Sequence, residues 1–346
     1  MYHSASSLSS LRQAIPLYHA LLMGCLIVGT AAGIYPETQN PPGETRPNVE
    51  QQLLEQRETR EDLDFWLRNM LLAHRYTWEE AARVTGLSLQ ETEAAARRAG
   101  IDPDTGAYPF PLKRTGVLPY PGGRHPRIGF LEGAVDPIRA TKASVFLPWD
   151  PRSYVVIDLP EAIFRGKDLI FLAHTHIPTV WDQPNRRPRF LDWRRHPDGG
   201  LAGEWPLPDG VVVGATIQPA AAGVEMELWL HNGTDRMLTG LRTQVCVMLK
   251  GAGGFTEQAN TNKIFEAPVA AARSQSGDRW ILTAWSPCGR VWGNDQVPCI
   301  HADPVWPDCP PGATARARGR LWFYEGNGIQ KEIERAKAEI TRPREP

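Results

Sequence analysis

Val224-Glu225-Met226-Glu227-Leu228-Trp229-Leu230-His231 alternates apolar and polar side chains, and Asn232-Gly233-Thr234-Asp235 follows with turn residues. Side chains two apart on a strand share a face. Val224, Met226, Leu228 and Leu230 therefore make one face, and Glu225, Glu227, Trp229 and His231 the other. Residues 241–250 repeat the pattern, with Leu241, Thr243, Val245, Val247 and Leu249 set against Arg242, Gln244, Cys246, Met248 and Lys250. Two such strands around an Asn-Gly turn predict antiparallel sheet with one buried face. Paired as a hairpin, one register puts Trp229 across from Arg242 and Glu227 across from Gln244. That polar face would offer an aromatic platform, a cation and a carboxylate, a combination suited to a sugar ring. As a plain solvated face it would hold a cation–π pair worth about 0.5–1 kcal/mol.

Working outward, the same period of two recurs in Ala143–Trp149, Ser153–Leu159, Leu169–Ile177, Val211–Ile217, Trp280–Trp285 and Arg318–Tyr324. Strands without alternating helices predict a mainly β protein, a large antiparallel β-sandwich over residues 127–325. Upstream the period changes to that of a helix. Leu63, Trp66, Leu67, Met70, Leu71 and His74 form one stripe. Thr77-Trp78-Glu79-Glu80 and Ser88-Leu89-Gln90-Glu91 read as two capping boxes. Gly86 turns the chain between them, and Gly100 ends the last helix. The reading is a three-helix N-terminal module at 49–100, a Pro-rich linker or wrapping segment at 101–126, and a terminal helix and tail at 326–346.

The first 32 residues read as a signal peptide: Arg12 in a polar leader, an apolar run from Ala20 to about Val28, then Gly29-Thr30-Ala31-Ala32-Gly33. An uncleaved signal anchor is the rival reading. Residues 33–48 form a Pro-rich tether. The expected location is secreted or periplasmic, with no membrane span after signal removal. Net charge is −1, so no overall field would draw in nucleic acid. The helix-turn-helix pattern of Glu79–Ala99 does not change this, because Gln90, Glu91 and Glu93 offset Arg97 and Arg98.

An alternating strand, Asn232-Gly233-Thr234, a short excursion, Leu238-Thr239-Gly240-Leu241 and a second alternating strand resemble the large β-sandwiches of carbohydrate-processing proteins. The galactose-mutarotase-like supersandwich is the group in mind, over about residues 200–325. The resemblance implies a carbohydrate or glycan partner. It also implies a His acid and a carboxylate base on a concave sheet face, with no residue carried over. Pro121-Gly122-Gly123-Arg124-His125-Pro126 and Gly251–Lys263 resemble segments of secreted bacterial proteins, which implies export alone.

Candidate chemistry lies in two places. His174 and His176, two apart at the end of an apolar run, would share a strand face. With Asp182, and with His301 as a further nitrogen, they are candidates for acid/base work or for a divalent metal. Trp149, Asp150 and Trp181 stand nearby in sequence as substrate contacts. Asp150, Asp182, Asp192, Glu204 and Glu227 lie near tryptophans and are candidate paired carboxylates. Asn260, Asn262 and Lys263, on a Gly-rich loop, suit a polyhydroxyl ligand or are simply an exposed loop. With Cys25 removed, Cys246, Cys288, Cys299 and Cys309 make an even count, which in an oxidising compartment predicts two disulfides. A zinc site from Cys299, His301 and Cys309 is the alternative. The expected function is an exported carbohydrate-active enzyme (lyase, epimerase or hydrolase) with a His/carboxylate site in a Trp-lined cleft. A non-catalytic glycan-binding or cell-envelope interaction protein is the second reading.

Overall fold

Among the described residues the longest element is a strand of sixteen residues, β3 (Asp150–Arg165), and one of the two sheets is organised around it. The computed structural model describes residues 60–105, 115–126, 139–173, 177–182 and 186–342. The expected signal peptide, the tether, His174 and His176 lie outside the described residues.

The first sheet, sheet A, contains β1 (Val117–Pro119), β2 (Lys142–Leu147), β3, β4 (Asp168–Leu172), β9 (Leu241–Met248), β13 (Cys288–Trp292) and β14 (Cys299–Pro304). Its order is β1-β2-β3-β9-β14-β13, with β4 also paired to β3. The second, sheet B, contains β5 (Arg194–Arg195), β6 (Leu201–Pro206), β7 (Val211–Ala220), β8 (Gly223–Asn232), β10 (Lys263–Glu266), β11 (Val269–Arg273), β12 (Arg279–Ser286) and β15 (Thr314–Glu325). It runs β10-β11-β12-β15-β8-β7-β6-β5. All pairings are antiparallel, and the protein is a mainly β sandwich, as its alternating pattern predicts.

Both alternating faces go where the pattern sends them. Val224, Leu228 and Leu230 meet Val245, Val247 and Ile300 in the core between the sheets, each almost fully buried. Burying each such side chain contributes about 1.5–3 kcal/mol. The predicted hairpin, however, is not formed. β8 pairs with β7 and β15, whereas β9 lies in the other sheet, between β3 and β14. Residues 233–240 therefore cross from one sheet to the other. Trp229 faces Gly214 and Arg316 across its neighbours, and Arg242 faces Phe164. The contact at Gly214 is close: a Cβ there would lie 2.0 Å from the Trp229 ring.

Two of the unpredicted strands, β11 and β14, have both faces covered and so lack apolar–polar contrast. In β11, Val269, Ala270, Ala271 and Ala272 are all buried, because α4 (Ile329–Thr341) packs on the outer face of sheet B. In β14, Cys299, His301 and Asp303 face outward yet are buried too. The predicted strand Leu169–Ile177 ends earlier, at Leu172.

Among the described residues, three α-helices precede the sheets: α1 (Arg60–Arg68), which runs into a π-helical turn at Asn69–Ala73, α2 (Trp78–Thr85) and α3 (Leu89–Arg98). Both capping boxes are formed, Thr77 with Glu80 and Ser88 with Glu91, and Gly86 takes the left-handed conformation at φ 68°. The module is held to the sandwich by the Pro-rich segment, which is no free linker. Val117–Pro119 pairs with β2, Tyr120 is buried, and Arg124 binds Glu80 at 2.6 Å while donating to the carbonyls of His74 and Arg75. Gly123, at φ +82°, passes so near Val84 that a Cβ would sit 2.3 Å from its methyl carbon. No helix among the described residues is long and apolar enough to cross a membrane.

Candidate functional site

Register brings one row of chemically active side chains across the outer face of sheet A. Lys142 on β2 faces Asp158 on β3, Asp158 faces Cys246 on β9, Cys246 faces His301 on β14, and His301 faces Trp292 on β13. Cys299, two residues before His301, joins the row from the same face. The sheet face is covered by Ala73, Tyr120 and other apolar groups, so the row is buried: Lys142, Asp158 and Cys246 are 0% exposed, His301 2% and Cys299 3%.

At one end, Lys142 Nζ lies 3.4 Å from Asp158 and donates to the Ala173 carbonyl at 3.0 Å, while Thr141 donates to Asp158 at 2.6 Å. At the other, Cys299 Sγ is 3.6 Å from His301 Nε2. His301 Nδ1 looks the opposite way, 3.6 Å from Asp303 and 3.8 Å from Glu161. Asp303 is fixed by Arg290 Nε at 2.7 Å, Trp292 Nε1 at 2.7 Å and the Val245 amide at 3.2 Å. Burial pulls the His301 imidazole down, but the facing Asp303 carboxylate, the hydrogen bond to Cys299 and the charges of Cys299 and Glu161 outweigh it, raising its pKa to about 10. The Cys246 thiol, with His301 beside it, holds Cys299 well below the usual thiol range. The donor atoms of Cys246, Cys299 and His301 all lie within 4.8 Å of one another, near enough to share one metal ion.

A separate open cleft of about 390 Å3 lies between α1 and strands β5 and β6. Phe65, Trp66, Leu191 and Trp193 line it, with Asp62, Asp192, Arg194, Arg195 and Glu204. Arg195 stacks 3.6 Å over the Phe65 ring and pairs with Asp62 at 3.3 Å. Arg194 reaches Glu204 at 3.5 Å, and Arg139 holds Asp192 by two hydrogen bonds of 3.0 and 2.6 Å. Trp193 Nε1 donates to the Lys142 carbonyl, tying the cleft wall to the buried row. A smaller cleft of about 220 Å3 beneath α4 has its arginines occupied, since Arg320 binds Glu339 and Arg318 binds the Ile340 carbonyl.

The residues singled out in the sequence are distributed as follows. His174 and His176 lie outside the described residues. Asp182 is exposed and closes a turn, accepting from the Thr179 amide and pairing with Arg187 at 2.9 Å. Trp181 is core, its Nε1 bonded to the Ile170 carbonyl at 2.7 Å. Asp150 likewise closes a turn through Ser153 at 2.6 Å, and Trp149 packs against Phe255 and Phe323. Glu227 pairs with Arg316, whereas Arg242 binds the Gly166 carbonyl and Gln244 faces Ala162, so the platform expected from these residues and Trp229 is split between the sheets. Lys263 Nζ binds Asn260 at 3.1 Å and the Asn294 carbonyl at 3.0 Å, and Asn262 donates to the Arg273 carbonyl. That trio clasps two loops together. His301 alone of the set enters the buried row.

The cysteines depart from the expected disulfides: no disulfide joins Cys246, Cys288, Cys299 and Cys309. The third member of the zinc alternative is also different. Cys309 points at the carbonyls of Pro310 and Ala313, while Cys246 stands beside Cys299 and His301. The alternation of 241–250 already placed Cys246 on an outer face, but nothing local linked it to a strand fifty residues on. The cleft was partly visible: Asp192 and Glu204 were among the carboxylates near tryptophan, and Leu191-Asp192-Trp193-Arg194-Arg195 mixes aromatic, acidic and arginine side chains.

Fold and site define a two-sheet antiparallel sandwich with a helical module over a thiol–imidazole row. No known protein family matches the chain, and no curated protein does. Among solved structures, a putative kojibiose phosphorylase from the human microbiome is similar at TM-score 0.33 and 6% identity, over 56% of this chain and 27% of that one. The Slr1438 protein of Synechocystis sp. PCC 6803 matches at TM-score 0.31 and 12% identity, over 56% of this chain and 89% of its own. The heparan sulfate lyase HepC of Pedobacter heparinus matches at TM-score 0.31 and 9% identity, over 76% of this chain and 42% of that one. The chain thus spans about a quarter of the phosphorylase and under half of the lyase.

Proposed function

We propose that the protein is carbohydrate-active and holds a glycan in the cleft between α1 and β5–β6. One observation carries the reading: aromatic side chains and arginine–carboxylate pairs line the same open concavity, whose about 390 Å3 suits a small ligand. Sugar rings rest their apolar side on aromatic surface, and planar guanidinium and carboxylate groups take their hydroxyls. Arg195, stacked on Phe65 and anchored by Asp62, presents such a group in a fixed orientation. The test is a broad oligosaccharide panel read by calorimetry. Wild type binds at least one member, and Phe65→Ala and Arg195→Ala each weaken it by roughly 1–2 kcal/mol, about 5–30-fold. A panel with no binder sinks the reading.

Catalysis is the second reading, favoured by the entry of two carboxylates, Asp192 and Glu204, into one cleft. Two carboxyl groups flanking a glycosidic bond are the usual requirement for its hydrolysis. Product release from the same panel, abolished in Glu204→Gln, supports it; binding without turnover leaves a glycan-binding protein. His174 and His176 with Asp182 stay candidates for acid/base work, and turnover unchanged in a His174→Ala/His176→Ala variant removes them. We also propose export, tested by N-terminal sequencing of protein recovered outside the cytoplasm. A mature start at Ala32 or Gly33 is expected, and an intact Met1 in the cytosol refutes it.

A further inference from the structure

We propose that Cys246, Cys299 and His301 bind one divalent transition metal, zinc being the best fit. The inference goes beyond the carbohydrate reading and does not depend on it. Two adjacent strands supply the ligands. His301 stands opposite Cys246 in the β14–β9 ladder, and Cys299 lies two residues before His301 on the same face. The three donor atoms fall within 4.8 Å of each other with no rearrangement of backbone.

The one resolved sulfur–nitrogen distance agrees with tetrahedral zinc. With Zn–S about 2.3 Å and Zn–N about 2.0–2.1 Å, a tetrahedral angle separates sulfur and nitrogen by about 3.5–3.6 Å. Cys299 Sγ and His301 Nε2 are 3.6 Å apart. The ring is also oriented as metal-bound imidazoles are. Nε2 faces the sulfurs, while Nδ1 faces the carboxylates of Asp303 and Glu161 at 3.6 and 3.8 Å. A carboxylate behind the imidazole fixes which nitrogen carries the proton and strengthens the other as a donor. Trp292, stacked on the ring at 3.9 Å, holds its plane.

The donor set selects the ion. Two sulfurs and one imidazole suit zinc, cobalt(II) or copper(I), and disfavour magnesium and calcium, which require oxygen. Two thiolates neutralise a dication in a site almost closed to water. Binding releases two protons: that of the Cys246 thiol and the one that Cys299 and His301 hold between them.

The experiment uses the full chain, purified under reducing conditions. Stripped protein titrated with cobalt(II) should develop thiolate-to-cobalt charge-transfer and tetrahedral d–d bands that saturate at one equivalent, and zinc should abolish them. Zinc content after dialysis should be one per chain. Cys246→Ser and Cys299→Ser should lose the spectrum, while Cys288→Ser and Cys309→Ser keep it. Glu161→Gln should retain one site with affinity reduced about 10–100-fold. Because the cobalt titration is run on wild type, the test survives variants that fail to fold. Absence of cobalt bands in folded wild-type protein overturns the proposal. So does a non-reduced mass two hydrogens lighter with a Cys246–Cys299 crosslinked peptide. Glycan binding enters none of these readouts, so failure of the cleft reading leaves this result intact.

Discussion

His301 lies flat against Trp292, ring centroids 3.9 Å apart and planes 19° from parallel, and the same indole donates its Nε1 proton to Asp303 at 2.7 Å. Trp292 thus positions the imidazole twice, once by stacking and once through the carboxylate that faces His301 Nδ1. Asp303 is the common anchor, since it also accepts from Arg290 and from the Val245 amide.

Asp303→Ala should therefore destabilise the fold by about 3 kcal/mol, because the buried imidazole loses one facing carboxylate while Arg290, Trp292 and the Val245 amide lose their acceptor. Trp292→Phe keeps the stack and loses one hydrogen bond, so its cost should be about 1 kcal/mol. Urea unfolding of both variants checks the order. Equal and small effects would show that the stack and the carboxylate are incidental.

The Lys142–Asp158 pair makes a second test, because both side chains are fully buried. Removing one member of a buried ion pair costs about 3–5 kcal/mol. Asp158→Leu should lose that much, and the double variant Lys142→Met/Asp158→Leu should recover most of it. A double variant no better than the single one would show that the lysine bond to the Ala173 carbonyl matters more than the ion pair.

His74 gives the fold a pH dependence of defined sign. Its Nδ1 bonds the Asn69 carbonyl at 3.0 Å and its Nε2 the Ser144 hydroxyl at 2.7 Å, within a box of four aromatic rings. Burial, aided by the charge of Arg124 and opposed by the Asn69 bond, lowers its pKa to about 3. Between about pH 3 and the ordinary 6.5 the unfolded chain binds the proton and the folded chain does not. The contribution is complete above pH 6.5 and is lost as the pH falls toward 3, at up to about 1.4 kcal/mol per pH unit. Denaturant unfolding at several pH values should show this slope in wild type and a shallower one in His74→Phe.

The capping boxes can be tested individually. Ser88→Ala should cost about 1 kcal/mol, the usual value of an N-cap. Glu80→Ala should cost more than Glu91→Ala, because Glu80 also holds Arg124 and with it the segment covering sheet A. Thermal unfolding of the two variants decides; equal shifts would mean that Arg124 adds nothing beyond the cap.

The sequence alone determined which way side chains point. The alternation in 224–231 and 241–249 assigned faces correctly because side-chain direction on a strand is a local property. The capping boxes and Gly86 were legible for the same reason, each being settled within four residues. Which strands lie side by side was not legible. Backbone hydrogen bonds are the same for every residue, so a period of two names a face and never a neighbour. β8 and β9, adjacent in sequence and matched in pattern, sit in opposite sheets, and the sugar platform expected from Trp229 and Arg242 was divided with them. Cys246 shows the converse. Its strand predicted only an outward direction, and it was the tertiary register of β9 against β14 that set its sulfur beside Cys299 and His301, partners separated from it by more than fifty residues of chain.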